Sequence, residues 1–391
     1  MSKRITGRYE KAIAGGEKVD AFIPFDLPPA RPALLIDAKL GHRLHEAEQA
    51  LVRLDLAGEM VPSLDWFIYA FVRKEAVISS QIEGTQASLV DLLAFEAEEE
   101  PPPHAEVEEI TNYLDALAYA RDQLASKRGL PLSMRLLNGA HKRLMRGVRD
   151  SDKQPGELRR TQNWLGGSRP GNAAYVPPPP DKLPQLLSEF EKYIHVDDAL
   201  PKLVRTGLLH VQFETIHPYL DGNGRIGRLM IALLLEQFGL LKAPLLYLSL
   251  FFKRHREEYY RRLNLVRSEG DWEGWTDFFL DAVATIANEA VASAHELFSL
   301  VSADRTRLLG AERASVSALR LFEQLPRHPI VTVASAIRLI DASKPTAIRA
   351  IETLAETGIL VETTGRKRDR NFAYRAYMER LRTGTEPDSR G

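Results

Sequence analysis

The 391-residue chain contains no cysteine. That absence excludes a disulfide framework, a Cys-ligated zinc or iron–sulfur site, and a thiol nucleophile. Long apolar runs are missing too. The greasiest stretch, residues 243–252, falls far short of the roughly 18 apolar residues that a membrane-spanning helix needs. The start, Met1-Ser2-Lys3-Arg4-Ile5-Thr6, has charge but no apolar run behind it, so no signal peptide is read and a cytoplasmic setting is expected. Net charge is nearly absent: 52 Lys and Arg stand against 53 Asp and Glu. Whole-chain charge therefore points to neither nucleic acid nor membrane. Strand-like alternation is scarce, and no repeat of fixed period is present. What is there is 44% hydrophobic and 27% charged, which excludes a fibrous chain, over a length that predicts two or three domains.

Helical periodicity dominates. It predicts helices over 64–83, 133–146, 182–193, 200–214, 225–239, 254–268 and 271–300. Ser63 is read as the N-cap of the first and Gly84 as its stop. Residues 94–110 carry seven Glu, no Lys or Arg, and Pro101-Pro102-Pro103, read as a solvated helix end followed by a polyproline turn. The Gly/Pro/Asn-rich segment 166–177 predicts a hairpin. Trp66, Trp164 and Leu233–Leu235 are assigned to the core. His141 and His195 are read as ordinary histidines, because neither has metal-ligand spacing.

The segment richest in chemistry is Ile216-His217-Pro218-Tyr219-Leu220-Asp221-Gly222-Asn223-Gly224-Arg225-Ile226-Gly227-Arg228, running into an apolar helix. Two glycines let the backbone turn and approach a ligand closely. Free N–H groups at a helix start form an anion site. Arg225 and Arg228, three apart, can lie on one side of the first turns. Asp221 can hold Mg²⁺ together with phosphate oxygens, and His217 is a general-base candidate near neutral pH. A mere turn, or a Ca²⁺ loop, competes with this reading. Aligned as a Ca²⁺ loop, however, the segment puts His217, Tyr219 and Arg228 where acidic ligands belong. A base, a metal ligand, an anion cradle and two cations point to phosphoryl or nucleotidyl transfer.

Residues 217–225 resemble the Fic motif, H-P-F-x-D-G-N-G-R, with Tyr219 in place of Phe. His210, Phe213 and Arg228 also fit the family pattern, and the resemblance covers roughly residues 1–300. It implies AMPylation, the movement of AMP from ATP to a protein hydroxyl. By that resemblance His217 deprotonates the hydroxyl and Asp221 binds Mg²⁺. Asn223 with the Gly222 and Gly224 amides holds the α-phosphate, Arg225 the β- and Arg228 the γ-phosphate. Gly224, where Doc phosphotransferases carry Lys, favours nucleotidyl over γ-phosphate transfer. The segment 167–176, with Gly167, Asn172, Tyr175 and Val176, matches the family's flap, which docks the target chain as an added strand. Ser79-Ser80-Gln81-Ile82-Glu83-Gly84 resembles the family's inhibitory motif, which implies that Glu83 pairs with Arg228 and blocks a productive ATP pose. The resemblance also points to a homodimer. Expected partners are a protein target, this chain itself included, and no membrane.

Beyond residue 312 the charge balance changes, to 14 Lys and Arg against 9 Asp and Glu over 313–391. Helices are predicted over 313–325, 333–340 and 346–357, the last capped by Ser343 with Pro345 in its first turn. Strands are predicted over 359–363 and 371–374 around a basic turn, Gly365-Arg366-Lys367-Arg368-Asp369-Arg370. This order resembles a winged helix, with DNA binding placed ahead of protein contact. The expected fold is mainly α. It has an N-terminal helical region over 1–125 holding the inhibitory helix 64–83, a Fic core with a small β-hairpin flap over 126–300, and a winged-helix-like domain over 312–380. Two alternatives stand beside AMP transfer: a DNA-binding regulator whose Fic core senses nucleotide, and de-AMPylation of a protein.

Overall fold

A computed structural model describes residues 4–30, 32–60, 64–98, 103–147, 153–365 and 370–387. Ser63, Pro101, Pro102 and the 366–369 part of the basic turn lie outside the described residues. The fold is mainly α with small sheets, as expected. Among the described residues, no helix is long and apolar enough to cross a membrane. The chain forms two compact units, Met1–Val52 with Asn112–Ala287, and Arg53–Thr111 with Asn288–Gly391.

In chain order the elements begin with β1 (Gly7–Ala14) and β2 (Glu17–Pro24), followed by α1 (Ala38–Met60), α2 (Leu64–Ile82), α3 (Leu89–Ala97) and α4 (Ala105–Ala125). Next come α5 (Met134–Leu144), α6 (Leu183–His195), α7 (Lys202–Ile216), α8 (Asn223–Gln237), α9 (Ser249–Arg254), α10 (Arg256–Glu269) and α11 (Trp272–Leu309). The chain ends with α12 (Val316–Gln324), β3 (Ile330–Val331), α13 (Val333–Ile340), α14 (Lys344–Glu356), β4 (Val361–Glu362), β5 (Phe372–Ala373) and α15 (Arg375–Leu381).

The first unit is organised around α7. Every residue of it from Leu203 to Ile216 is buried, as expected of a helix wrapped on all sides by core. Gly207 allows a close neighbour, since a Cβ there would meet the Phe279 ring at 2.9 Å. The Trp275 indole N–H donates to the Gly207 carbonyl at 2.9 Å. The antiparallel β1–β2 hairpin turns through Gly15 and Gly16, both at positive φ. It packs Ala14, Val19 and Ala21 on Val176. This hairpin was not foreseen.

Two expectations are corrected. The flap is not a hairpin of two regular strands. Leu165 and Tyr175 form a single antiparallel bridge, and a 3-10 turn over Pro170–Asn172 closes the segment. Gly166 and Gly167 at positive φ break the extended run, and the Val176 carbonyl accepts instead from the Phe22 amide of β2 at 2.9 Å. Trp164 is 36% exposed and so is not a core residue. Trp66 is half-buried, while Leu233–Leu235 are buried as expected.

In the second unit α2 is tied to α3, to the turn before it and to the C-terminal elements. The Arg73 guanidinium pairs with Glu96 at 2.8 Å, and Arg327 pairs with Asp65. The Tyr69 ring lies 6.2 Å from that of His328. The Gln81 side-chain amide donates to Ala87 O at 3.0 Å and to Thr385 O at 2.9 Å, with Thr385 only 1% exposed. Helices α12 and α13 start on Ser315 and Thr332, whose hydroxyls accept from Ala318 N and Ser335 N. The small sheet has the order β3-β5-β4, all antiparallel. Tyr374, directly after β5, donates its hydroxyl to the buried Asp304 of α11 at 2.7 Å.

Candidate active site

Helix α7 ends because His217 turns left-handed, with φ +50° and ψ +63°, while its N–H still bonds Phe213 O at 2.9 Å. Such a conformation costs a non-glycine residue about 1–2 kcal/mol, so the surroundings must hold it. They do so by engaging the carbonyls that follow. The His217 carbonyl accepts from Arg159 Nε at 2.9 Å, and the Pro218 carbonyl accepts from the Arg159 backbone N–H at 3.0 Å. The Tyr219 carbonyl accepts from Asn223 Nδ2 at 2.9 Å and from Asn163 Nδ2 at 3.3 Å. The Asp221 carbonyl bonds His141 Nε2 at 3.0 Å. Because Gly156 N–H donates to His141 Nδ1 at 2.9 Å, Nδ1 is the acceptor and Nε2 carries the proton. Burial pushes the His141 pKa down to about 4, which keeps that neutral tautomer at pH 7.

Tyr219 anchors the middle of the loop. It is fully buried, stacked on His141 with ring centroids 3.8 Å apart, and its hydroxyl donates to Asn138 Oδ1 at 2.7 Å. Its backbone N–H donates to Asn223 Oδ1 at 2.8 Å. Both ends of the Asn223 amide thus brace the loop.

Gly222, with φ +75°, then opens α8. A Cβ there would meet Met145 Sδ at 3.0 Å, so both conformation and space call for glycine. Arg225 and Arg228 are 4% and 3% exposed on the first two turns of α8, at the end where the helix dipole favours anions. The Asp221 carboxylate is 38% exposed and accepts from Gly222 N at 2.6 Å and Lys153 Nζ at 2.9 Å; Arg225 lies 4.0 Å away. Burial would raise its pKa, but the Lys153 bond, the Gly222 amide and Arg225 outweigh that and hold it below the usual carboxylate range. The loop therefore places a histidine, an ionised carboxylate, a helix N-terminus and two buried guanidinium groups along twelve residues.

Residues 131–235 match the Fic/DOC family, and residues 42–122 match the Fic/DOC family N-terminal region. The chain carries a Fic domain. Over 168 residues it is 32% identical to a protein adenylyltransferase Fic of Culex quinquefasciatus, covering 42% of this chain and 30% of that relative. It is 31% identical over 168 residues to one of Drosophila grimshawi, covering 42% of this chain and 31% of the relative. The match thus spans less than a third of the length of these curated relatives. The crystal structure of a Fic family protein from Desulfovibrio desulfuricans G20 has the same fold, with a TM-score of 0.55 at 21% identity over 87% of this chain and 97% of that one.

The Fic domain brings together His217, Asp221, Gly222, Asn223, Gly224, Arg225 and Arg228 as one loop and helix start. The flap residues fall in the same unit. Tyr175 is bonded to Leu165 through both backbone groups, and its hydroxyl donates to Thr215 O at 2.6 Å. Val176 O is taken by β2, so Gly167 and Asn172 are the flap positions outside these pairings. Beside the flap ends, a groove of about 960 Å³ is lined by β1 together with Thr161, Gln162 and Pro179. Ser79, Glu83 and Gly84 belong to the second unit. Ser79 is buried, and beyond Ile82 the Glu83 and Gly84 amides bond Ser80 O and Gln81 O, each at 3.0 Å.

His210 is fully buried, with Nδ1 3.1 Å from Gly227 O and Nε2 2.8 Å from the Tyr259 hydroxyl. The carbonyl can only accept, so Nδ1 carries the proton and Nε2 accepts from Tyr259. The residues that sequence reasoning missed are Arg159, His141, Asn163, Asn138 and Lys153. All of them precede the motif by 50 or more positions, and their only sequence signal is polar character in the 138–163 region.

Proposed function

We propose that this chain transfers AMP from ATP to a Ser, Thr or Tyr hydroxyl of a protein. The observation that carries the reading is the left-handed His217, held by four residues' donors at the mouth of a helix that opens on Gly222 and buries two arginines. The names of the Culex and Drosophila relatives support the same reaction. His217 takes the proton of the acceptor hydroxyl as its oxygen attacks the α-phosphorus. The new P–O bond forms, the bond from the α-phosphorus to the β-bridging oxygen breaks, and pyrophosphate leaves. The Gly222–Gly224 amides face the α-phosphate, while Arg225 and Arg228 offset charge on the β- and γ-phosphates. In a phosphate displacement most of the catalysis is positioning and charge stabilisation.

A magnesium ion fits this donor set. Mg²⁺ takes one or two protein carboxylates and fills its shell with phosphate and water oxygens. Asp221 is a single, ionised, half-exposed carboxylate beside the anion cradle, and an ammonium already pairs with its Oδ2. When bound, the ion supplies charge neutralisation on the triphosphate.

Glu83 is the proposed restraint, acting on Arg228 so that the γ-phosphate loses its partner. The test uses ATP labelled at the α- or the γ-phosphate, cell lysate as the source of acceptors, and the full chain. Glu83→Gly is expected to increase transfer of the α label over wild type, and His217→Ala to abolish it. Label arriving only from the γ position would sink the adenylyl reading in favour of kinase-like transfer. No label from either position would favour a nucleotide-sensing regulator.

The region 312–380 is proposed as a winged helix that contacts DNA. The order α12-β3-α13-α14-β4-β5 and the exposed Lys344 and Arg349 on α14 support this reading.

A further inference from the structure

Arg159 is 2% exposed, yet it carries a guanidinium group, which stays buried in a protein only when its donors are satisfied. Its partners are all backbone carbonyls. Nε donates to His217 O at 2.9 Å, one terminal nitrogen donates to Pro178 O at 2.5 Å, and the other reaches Thr161 O at 3.4 Å. Its own backbone N–H donates to Pro218 O at 3.0 Å. Thr161 and Pro178 are not arbitrary acceptors: they flank the flap, one before Leu165 and one after Val176. A second bond closes the same base, from Gln162 Nε2 to Pro177 O at 2.8 Å.

We propose that Arg159 is a positioning residue: one planar fork that registers the backbone of His217 against both ends of the acceptor-docking flap. This rests on the adenylyl-transfer reading for the role of His217 and of the flap, while the geometry itself is independent of it. The physical reason is the shape of the loop. His217 is left-handed, so its carbonyl leaves the α7 hydrogen-bond ladder and needs a donor from elsewhere. A guanidinium offers donors in fixed directions, so the carbonyl it fixes on one side is held relative to the carbonyls on the other. Lysine has one rotatable ammonium and cannot hold all three. The acceptor hydroxyl is delivered from the flap side and the base from the α7 side, so an error between them acts on the proton-transfer geometry. ATP is bound by the α8 side of the loop, which Arg159 does not touch, and is spared.

The test uses the full chain in the Glu83→Gly background with Arg159→Met and Arg159→Lys. Misplacement by about 1 Å costs on the order of 10²-fold in rate. The expected result is therefore a kcat for AMP transfer lowered about 10²-fold in Arg159→Met, with ATP affinity by calorimetry changed by less than about 3-fold. Arg159→Lys is expected to recover part of that loss, because one carbonyl regains a donor. In histidine-labelled protein, the His217 ring resonances are expected to shift or broaden in both variants, while those of buried His210 stay in place and certify the fold. The proposal is overturned by a kcat near that of the parent, by kcat and ATP affinity falling together, or by an unmoved His217 signal. If Arg159→Met fails to fold, the kinetics and His217 signal of Arg159→Lys decide alone. Should the Glu83→Gly parent transfer no AMP, the proposed function falls while the His217 resonances still decide the role of Arg159.

Discussion

Replacing His141 by phenylalanine isolates the polar half of its role. Phenylalanine keeps the ring, and with it the 3.8 Å stack on Tyr219. It removes two bonds, leaving Gly156 N–H without its acceptor and Asp221 C=O without its donor. Leaving a buried backbone group unpaired costs about 1–3 kcal/mol. Both partners are part-buried, which favours the lower half of that range, and together they come to about 2–4 kcal/mol. For a unit of this size about 1 kcal/mol corresponds to a 2–4 °C change in melting temperature, so His141→Phe is expected to melt roughly 5–15 °C lower. The loss falls on the turn that sets Asp221, so the affinity for ATP with magnesium should weaken as well. Differential scanning calorimetry and nucleotide titration measure the two effects. A melting temperature within about 1 °C of wild type, or unchanged nucleotide affinity at a lowered melting temperature, would refute the argument that these two bonds hold the carboxylate turn.

Acid stability follows from His210, whose pKa burial pushes down to about 3. Unfolded, it titrates near about 6.5, so between these values the unfolded chain binds the extra proton. Its contribution is full above the unfolded value and is lost as pH falls toward 3, at up to about 1.4 kcal/mol per pH unit. Urea unfolding at stepped pH should show this slope, and His210→Gln should flatten it by one proton; an unchanged slope in that variant would contradict the assignment. For the C-terminal region, the full chain is expected to bind duplex DNA with an affinity that falls steeply as salt rises. Absence of salt-dependent binding would turn α14 and its neighbours toward a protein-contact role.

The nine-residue motif was legible because its residue types are constrained at several steps: Gly222 where φ is positive, Arg225 on the first turn of a helix start, and His217 at a helix end. Helix α14 was legible for a similar reason, since Ser343 and Pro345 stand at its start, whereas the helix read over 313–325 ran through Ser315, the N-cap of α12. What holds the motif was not. Arg159 and His141 act on carbonyls 58 and 80 positions away, and no local pattern records a donor aimed at a distant backbone oxygen. The β1–β2 hairpin did leave a signal in Gly15-Gly16, the dipeptide expected of a tight two-residue turn. Alanines at positions 12, 14 and 21 muted the apolar alternation on either side of it. Trp164 was assigned inward on residue type alone, although its neighbours are the glycines of a surface turn.

The bond from the Gln81 amide to Thr385 O gives the far C-terminus a say in the segment just before Glu83. A chain shortened before residue 385 loses one of the two acceptors on that amide, and with it the end of the clasp around the last turn of α2. Trimmed there, the protein would lose a bond on the turn that precedes Glu83, the residue proposed as the restraint. If Glu83 restrains AMP transfer as proposed, basal transfer is expected to rise when the last residues are cut before Thr385.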